Sequence, residues 1–263
     1  MDNLAYVKEQ LLNGAGIDED FLYQCLGILN ERKLDFGDIF FEHEVVESFF
    51  LEEGIIKEGA YRISSGVGVR GLIGEKTGFA YSDVIERNAV LDACRAARSI
   101  SSGHNMTPSG INITPRELKP LYVQDNPLLS MSREQKAALL MRANEVARSA
   151  DSRVDQVDVS LGQVHRMMLV ANTDGTLYAD VKPIVQFNVS VVMKNGDRHE
   201  QGSSAMGGAF LLDELTKNDA FEKVALDAVR MASVNLEAIP APAGSIRRRL
   251  ASGVNSRGCW SWP

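Results

Sequence analysis

His43 and Glu47 come nearest, by residue type and spacing, to the ligands of a metalloenzyme. A zinc-protease helix carries two ligands one turn apart and a glutamate that acts as base on the bound water. The stretch His43-Glu44-Val45-Val46-Glu47 has a similar spacing, but its phenylalanine and valine neighbours favour a β-strand. On a strand, positions 43 and 47 lie about 13 Å apart, too far to share one zinc ion. The pattern therefore predicts a strand and not a metal site.

Two glycine-containing stretches resemble phosphate-binding loops. Residues 66–71 match G-x-G-x-x-G, which binds a pyrophosphate only where a helix follows, and residues 72–78 have no helical pattern. In Gly74-Glu75-Lys76-Thr77 a glutamate separates glycine from lysine, whereas a P-loop places these two residues side by side. We interpret the first stretch as a glycine-rich strand and turn, and the second as a hairpin tip.

The remaining candidate groups are isolated along the chain. His104, His165 and His199 have no cysteine or histidine at ligand spacing. The serines in 201–208 lack the G-x-S-x-G elbow of serine hydrolases, so we interpret this stretch as a flexible loop. The sequence therefore predicts no catalytic, cofactor-binding or metal-binding residue in this chain, and it leaves the substrate-binding residues unknown.

Composition narrows the class of protein. The 263 residues carry a net charge of -7, which argues against nucleic-acid binding. Cys25, Cys94 and Cys259 are few and far apart, which favours reduced thiols in a cytoplasmic protein over a disulfide framework or a zinc knuckle. The N-terminus lacks the pattern of a signal peptide, and no window is apolar enough for a membrane span.

Hydrophobic periodicity predicts five helices and several strands. The helices are expected over about 3–12, 18–32, 83–100, 132–150 and 219–236, with N-caps at Asp18, Asp83, Ser132 and Asp219. A strand is expected over about 38–52, an antiparallel meander of short strands over 54–81, and a long loop over 101–127. Further strands are expected over 154–170 and 185–191, with turns at Asp174-Gly175 and Asn195-Gly196.

The order of these elements predicts the fold class. Strands cluster and do not alternate with helices, which favours an α+β fold with two mostly antiparallel sheets and flanking helices. We expect one α+β subdomain over 1–128, with the glycine-rich meander, and a second over 129–244. The arginine-rich tail over 245–263 is expected to be disordered, because its glycines, serines and final proline discourage regular structure.

Several short stretches, in this order along the chain, resemble the N-terminal half of the TldD/PmbA family of zinc metalloproteases, and the TldD branch in particular. They cover about residues 1 to 244, and no single one is diagnostic. The stretches are Arg32-Lys33-Leu34-Asp35-Phe36-Gly37-Asp38, Gly66-Val67-Gly68-Val69-Arg70, Gly74-Glu75-Lys76-Thr77-Gly78-Phe79-Ala80-Tyr81, Ser130-Met131-Ser132-Arg133-Glu134, Thr173-Asp174-Gly175-Thr176, Asp180-Val181-Lys182-Pro183, Ala228-Val229-Arg230-Met231-Ala232 and Ala241-Pro242-Ala243-Gly244.

The resemblance implies a cytoplasmic peptidase that acts on short or unfolded peptides. It further implies a partner subunit of the same family that closes a shared cavity, and no membrane or nucleic-acid partner. In the family the zinc lies in the C-terminal half, on a helix carrying His-Glu-x-x-x-His with a later cysteine. After residue 244 this sequence departs from the family pattern and continues as Ser245-Ile246-Arg247-Arg248-Arg249-Leu250. We therefore expect a truncated N-terminal portion without cofactor and inactive alone.

Three functional hypotheses follow from the resemblance. The chain is the non-catalytic portion of a zinc metalloprotease, or a binding module that associates with intact family subunits, or a fragment without function. The loss of a packing partner is expected to leave an apolar face uncovered. We expect the strand over 185–192 to be a sheet edge that accepts an extended peptide or another strand.

Overall fold

The protein, represented by a computed structural model, is described over residues 3–31, 34–100, 113–116, 119 and 121–239. Residues 101–112, 117–118 and 120 of the predicted loop, the tail 245–263, His104 and Cys259 lie outside the described residues. The helices are α1 Asn3–Leu11, α2 Glu19–Asn30, α3 Arg87–Arg98, α4 Arg133–Ala150, α5 Asp213–Thr216 and α6 Ala220–Glu237. The strands are β1 Phe36–Glu52, β2 Ile55–Ile73, β3 Lys76–Ser82, β4 Thr114–Pro115, β5 Val154–Asn172, β6 Thr176–Asn195 and β7 Arg198–Gly208.

The seven strands of the described residues join in one sheet, in the order β3-β2-β1-β5-β6-β4, with β7 also paired to β6. Every pairing is antiparallel except the short β4–β6 contact. The predicted α+β class, the antiparallel strands and the flanking helices are confirmed. The two predicted sheets are one sheet, because β1 pairs with β5 from Asp38 opposite Asn172 to Glu52 opposite Asp158.

Two stretches that were expected to break into turns or loops are regular strands. Residues 55–73 form a single strand that continues through Gly66, Gly68 and Gly71, so the predicted meander is wrong over this range. Residues 201–208, expected to be a flexible loop, belong to β7. The glycines permit close packing here: a Cβ at Gly66 would lie 2.8 Å from the Ser82 carbonyl oxygen.

Helix capping agrees with the sequence at two of the four predicted sites. The Asp18 side chain accepts a hydrogen bond from the Phe21 backbone N–H at 2.8 Å, and Ser132 forms the predicted capping box. Asp83 is not a cap, because α3 begins only at Arg87. Asp219 precedes α6 in a left-handed conformation, and its side chain makes no capping hydrogen bond. No helix among the described residues is long and apolar enough to cross a membrane.

The buried side chains of the described residues form two clusters. Both clusters lie on the same face of the sheet, because they contain alternate residues of the long strands. In β5 the odd-numbered residues from Val157 to Ala171 are buried, and the even-numbered residues of the other face stay half-buried. The first cluster packs α1, α2 and α3 on one end of the sheet, and the second packs α4 and α6 on the other end. Gln163 and His165 lie between the β5 residues of the two clusters and belong to neither.

A buried ion pair marks the junction between the two clusters. Lys136 of α4 is 1% exposed and contacts the Glu47 carboxylate of β1, and its ammonium also donates to the Leu128 carbonyl oxygen at 2.7 Å. Gln163 of β5 donates to the same carboxylate at 3.3 Å. Because each of these charged groups is removed from water, neither is stable here without the other. The pair therefore fixes α4 over the strand pair β1–β5.

We expect Gly202→Ala to lower the free energy of unfolding by about 2 kcal/mol, a typical loss for overpacking. An alanine Cβ at this position in β7 would lie 2.1 Å from the Ala232 backbone nitrogen and 2.5 Å from the Ala228 carbonyl oxygen, so α6 would have to move. The control is Gly162→Ala in β5, whose Cβ would meet nothing nearer than 4.0 Å. Urea denaturation measures both variants, and equal losses would contradict this account of the α6 packing.

We expect Lys136→Met to lower the free energy of unfolding by about 3 kcal/mol, because the Glu47 carboxylate would stay buried without its cation. The matched control is Arg133→Met. Arg133 contacts the same carboxylate at 3.8 Å, but its side chain is 75% exposed, so we expect a loss under about 0.5 kcal/mol. Urea denaturation followed by circular dichroism compares them. A Lys136→Met loss as small as that of Arg133→Met would show that the buried pair does not hold α4.

Candidate functional site

The stretch that resembled a zinc-protease helix lies on strand β1, as the sequence predicted. His43 and Glu47 share one face of this strand, but the Glu47 carboxylate is held by Lys136. Among the described residues, no three His, Cys, Asp or Glu side chains lie together in a way that could hold a metal ion. The described residues therefore do not fit a zinc ion.

The two stretches that resembled phosphate-binding loops are also strand and hairpin. Residues 66–71 lie inside β2, with no helix after them. Gly74 has a φ of 55° and forms the turn between β2 and β3, which confirms the predicted hairpin tip. A left-handed φ of this kind favours glycine over other residues.

The packing of α2 against α3 brings together two cysteines that are far apart in sequence. Cys25 and Cys94 are both fully buried free thiols. The hydrogen bond with Cys25 and burial both raise the pKa of the Cys94 thiol above its ordinary value. A protonated, buried thiol is a poor nucleophile. The pair is therefore part of the core and not a reactive site.

His165 is a buried histidine at the base of a cavity of about 410 Å³. Burial lowers its pKa, and the nearby His43 lowers it further. Burial lowers the pKa of His43 as well. Both rings are therefore neutral at pH 7. His199, by contrast, lies on the exposed part of β7.

A long part of β2 is an open edge of the sheet. Strand β3 pairs with β2 only from Val67 to Ile73, so residues 55–66 pair with β1 alone among the described strands. Three large apolar side chains of this edge are more than half exposed, at 60% for Ile55, 58% for Tyr61 and 57% for Ile63. An open edge with exposed apolar side chains can pair with another extended chain.

The strand over 185–192, which we expected to be the open edge, is instead interior to the sheet. Val185 to Met193 pairs with β5 on one side and with β7 on the other. Helix α6 covers one face of this region through Ala228 and Ala232. The prediction is wrong because the alternating pattern shows that one face is buried but not which strands lie beside it.

The side chains around the β2 edge combine apolar surface with charge. Tyr61 lies opposite Glu47, and Ile63 lies opposite Val45, so all four share one face of the sheet. A small cavity of about 100 Å³ lies between Tyr61, Phe49 and the exposed Arg133. The edge therefore offers backbone groups, apolar contacts and a nearby guanidinium.

A row of aromatic side chains lies on the opposite face of the sheet, where β3 pairs with β2. Phe40 of β1 and Tyr81 of β3 both lie opposite Gly68 of β2, and Phe79 stacks on Tyr81 with ring centroids 6.2 Å apart. Phe79 and Tyr81 are 64% and 78% exposed. These rings line an open cavity of about 330 Å³ together with Glu42.

Charged side chains occupy the centre of this second face. Glu44 is only 8% exposed and accepts hydrogen bonds from Arg166 of β5 and from Arg62 of β2, the latter at 3.4 Å. Asp38 pairs with Arg70 nearer the end of β1. These cross-strand pairs leave both signs of charge on a face that neither helix group covers.

Comparisons with known proteins match both parts of the chain to one family. The model described as PmbA/TldA metallopeptidase domain 1 matches residues 37–101, and the model described as the central domain of the same metallopeptidase matches residues 126–236. Together these matches cover more than half of the chain.

Curated relatives and solved structures agree with this match. The chain is 38% identical over 259 residues to a protein named Metalloprotease TldD homolog from Haemophilus influenzae, covering 95% of this chain and 53% of the relative. A protein of the same name from Buchnera aphidicola is 38% identical over 257 residues, covering 94% of this chain and 52% of the relative. The chain thus spans about half the length of the curated relatives it matches.

Two solved structures share the fold at low sequence identity. A putative modulator of a DNA gyrase from Thermotoga maritima has a TM-score of 0.66 at 16% identity, covering 86% of this chain and 50% of that chain. TldE from Thermococcus kodakarensis has a TM-score of 0.62 at 16% identity, covering 82% and 47%. The fold and both family models agree with the resemblance found in the sequence, and the chain therefore belongs to the PmbA/TldD metallopeptidase family.

Proposed function

We propose that this chain is a non-catalytic, peptide-holding portion of a TldD-like metalloprotease. The observation that carries the proposal is the open β2 edge over residues 55–66, in a chain that matches two domains of the family. The metal and the groups that cleave the peptide then belong to the half of the relatives that this chain does not span. The site of action is the cytoplasm.

Strand addition explains how the edge would hold a substrate. An extended peptide would form backbone hydrogen bonds with β2, and its alternate side chains would contact Tyr61 and Ile63. A short or unfolded peptide has its backbone N–H and C=O groups free for this pairing, whereas most of those in a folded protein are already paired. The edge therefore selects short or unfolded peptides, and its affinity depends little on their sequence.

An assembly role is the second candidate function. The exposed rings of Phe79 and Tyr81 lie on β3, at the end of the sheet. Exposed aromatic side chains at a sheet edge are typical of a surface that a protein partner covers. In this role the chain associates with an intact TldD/PmbA-type subunit, and β2 and β3 pair with that subunit instead of with a substrate. A fragment without function would bind neither.

We expect the purified chain to bind a fluorescent, extended octapeptide of alternating valine and threonine, and Ile63→Lys to weaken that binding about tenfold, or ~1.4 kcal/mol. The lysine removes an apolar contact and adds a charge that discourages strand pairing at the edge. The matched control is Val234→Lys, because Val234 is equally exposed at 57% but lies on α6. Fluorescence anisotropy measures all three proteins.

The peptide supplies a second control for the same experiment. Alternate backbone nitrogens of the peptide, those that would face β2, are methylated. This change removes the N–H donors and leaves the side chains unchanged, so it should abolish strand addition. Equal binding of the methylated peptide, or equal loss in Ile63→Lys and Val234→Lys, would exclude the β2 edge as the binding site. If an intact family subunit binds the chain and the peptide does not, the assembly role is correct.

We also expect the purified chain to contain no stoichiometric zinc and to cleave no peptide. The physical reason is that His43 lies on a strand and the neighbouring Glu47 is already paired with Lys136. Elemental analysis and a peptidase assay with added zinc measure the two properties. One tightly bound zinc ion per chain, lost in His43→Ala, would contradict the assignment of this chain as non-catalytic.

A further inference from the structure

The cavity above His165 is built by four separate parts of the chain. Asn3 and Tyr6 of α1 form one wall, and residues 122–126 form another. His165 of β5 and Val181 of β6 form its base. Its volume of about 410 Å³ lies within the usual range for small-molecule sites. The cavity lies on the face that carries the helices, and β1 lies between β5, which carries His165, and the open edge of β2.

The base of the cavity presents an unpaired polar group. His165 is 4% exposed, and no described residue donates to its ring or accepts from it. Its ring nitrogens are not among the fully buried polar atoms without a partner, so they reach the cavity and the water in it. The lowered pKa keeps this imidazole neutral, so one ring nitrogen is free to accept a hydrogen bond.

The walls are rich in acceptors. The Tyr122 hydroxyl already donates to Asp180, so its oxygen can only accept from a ligand. Among the described residues that line the cavity, Asp125 carries the only charged side chain. Lys182 lies across the Tyr122 ring at 5.9 Å, but the Asp180 carboxylate beside that ring offsets its charge. The cavity therefore has a net negative lining with aromatic rings.

We propose that this cavity binds a guanidinium group, either of a free arginine-like molecule or of an arginine side chain in a peptide. A guanidinium carries one positive charge, five N–H donors and no acceptor. The Asp125 carboxylate, the His165 ring nitrogen and the Tyr122 oxygen supply acceptors, and the Tyr6 ring supplies an aromatic face. The proposal does not depend on the peptide-holding function of the β2 edge.

Calorimetry on the full chain with N-acetylarginine amide tests the proposal against N-acetylcitrulline amide. The two compounds have nearly the same shape, but the citrulline urea is uncharged and places an acceptor where the guanidinium has a donor. We expect one arginine compound per chain and at least tenfold weaker binding of the citrulline compound. The histidine Cε1–H resonance that disappears in His165→Gln should shift on titration with the arginine compound. Equal binding of both compounds, or no binding of either, would overturn the proposal.

Asp125→Asn should weaken the arginine compound about tenfold, because it removes the charge without changing the shape. The matched control is Asp197→Asn, another exposed aspartate, which lies in the turn between β6 and β7. Asp197→Asn should change the affinity less than twofold. If both variants weaken the arginine compound equally, the binding is a general charge attraction and the proposed site is wrong. The octapeptide is titrated into the same preparation in a separate experiment, so failure at the β2 edge and failure here are distinct results.

The source of the guanidinium is identified by comparing free arginine with a blocked Gly-Gly-Arg-Gly-Gly peptide. Tighter binding of free arginine assigns the cavity to a small molecule. Tighter binding of the peptide assigns it to a peptide side chain. In either case, Asp125→Asn must also weaken the binding of the compound that binds more tightly.

Discussion

The contact between Lys136 and Glu47 is the interaction on which the arrangement of the two helix groups depends. Glu47 of β1 is only 7% exposed, and the Lys136 ammonium of α4 stabilises its charge there. Gln163 and the Leu128 carbonyl complete the environment of the pair. The pair stabilises the structure only when α4 sits at one position along the sheet, so it fixes that position.

The need for two helix groups follows from the lengths of the elements. A strand of 19 residues, such as β5, extends about 63 Å at 3.3 Å per residue, whereas an 18-residue helix such as α4 covers only about 27 Å. One helix layer cannot cover such a strand end to end. The chain therefore places two helix groups along one face, and the polar residues Glu47, Gln163 and His165 lie where the groups meet. Strand lengths explain the open edge too, because β3 has 7 residues and cannot cover β2.

The sequence predicts those features that depend on neighbouring residues. The capping box at Ser132, the turn at Gly74 and the strand character around His43 all depend on contacts within a few positions. Features set by distant residues were not predictable. Pairing of β1 with β5 joins the two expected sheets, and α6 packs directly against the strand that contains Gly202. A local sequence pattern cannot predict that Cys25 lies beside Cys94 or that His165 has no hydrogen-bond partner among the described residues. Both features depend on which helices pack together.

The two candidate sites differ in the physical basis of recognition. At the β2 edge, backbone groups of 55–66 and the apolar side chains Tyr61 and Ile63 favour any extended chain, so the affinity depends on conformation more than on sequence. In the cavity, the neutral His165 and the Asp125 carboxylate favour one charged group of fixed shape. β1 lies between β2 and β5, which carries His165, and it pairs with both strands in a fixed register. A rigid connection of this kind keeps the distance between the sites constant, so a peptide could occupy both only if its length matched that distance.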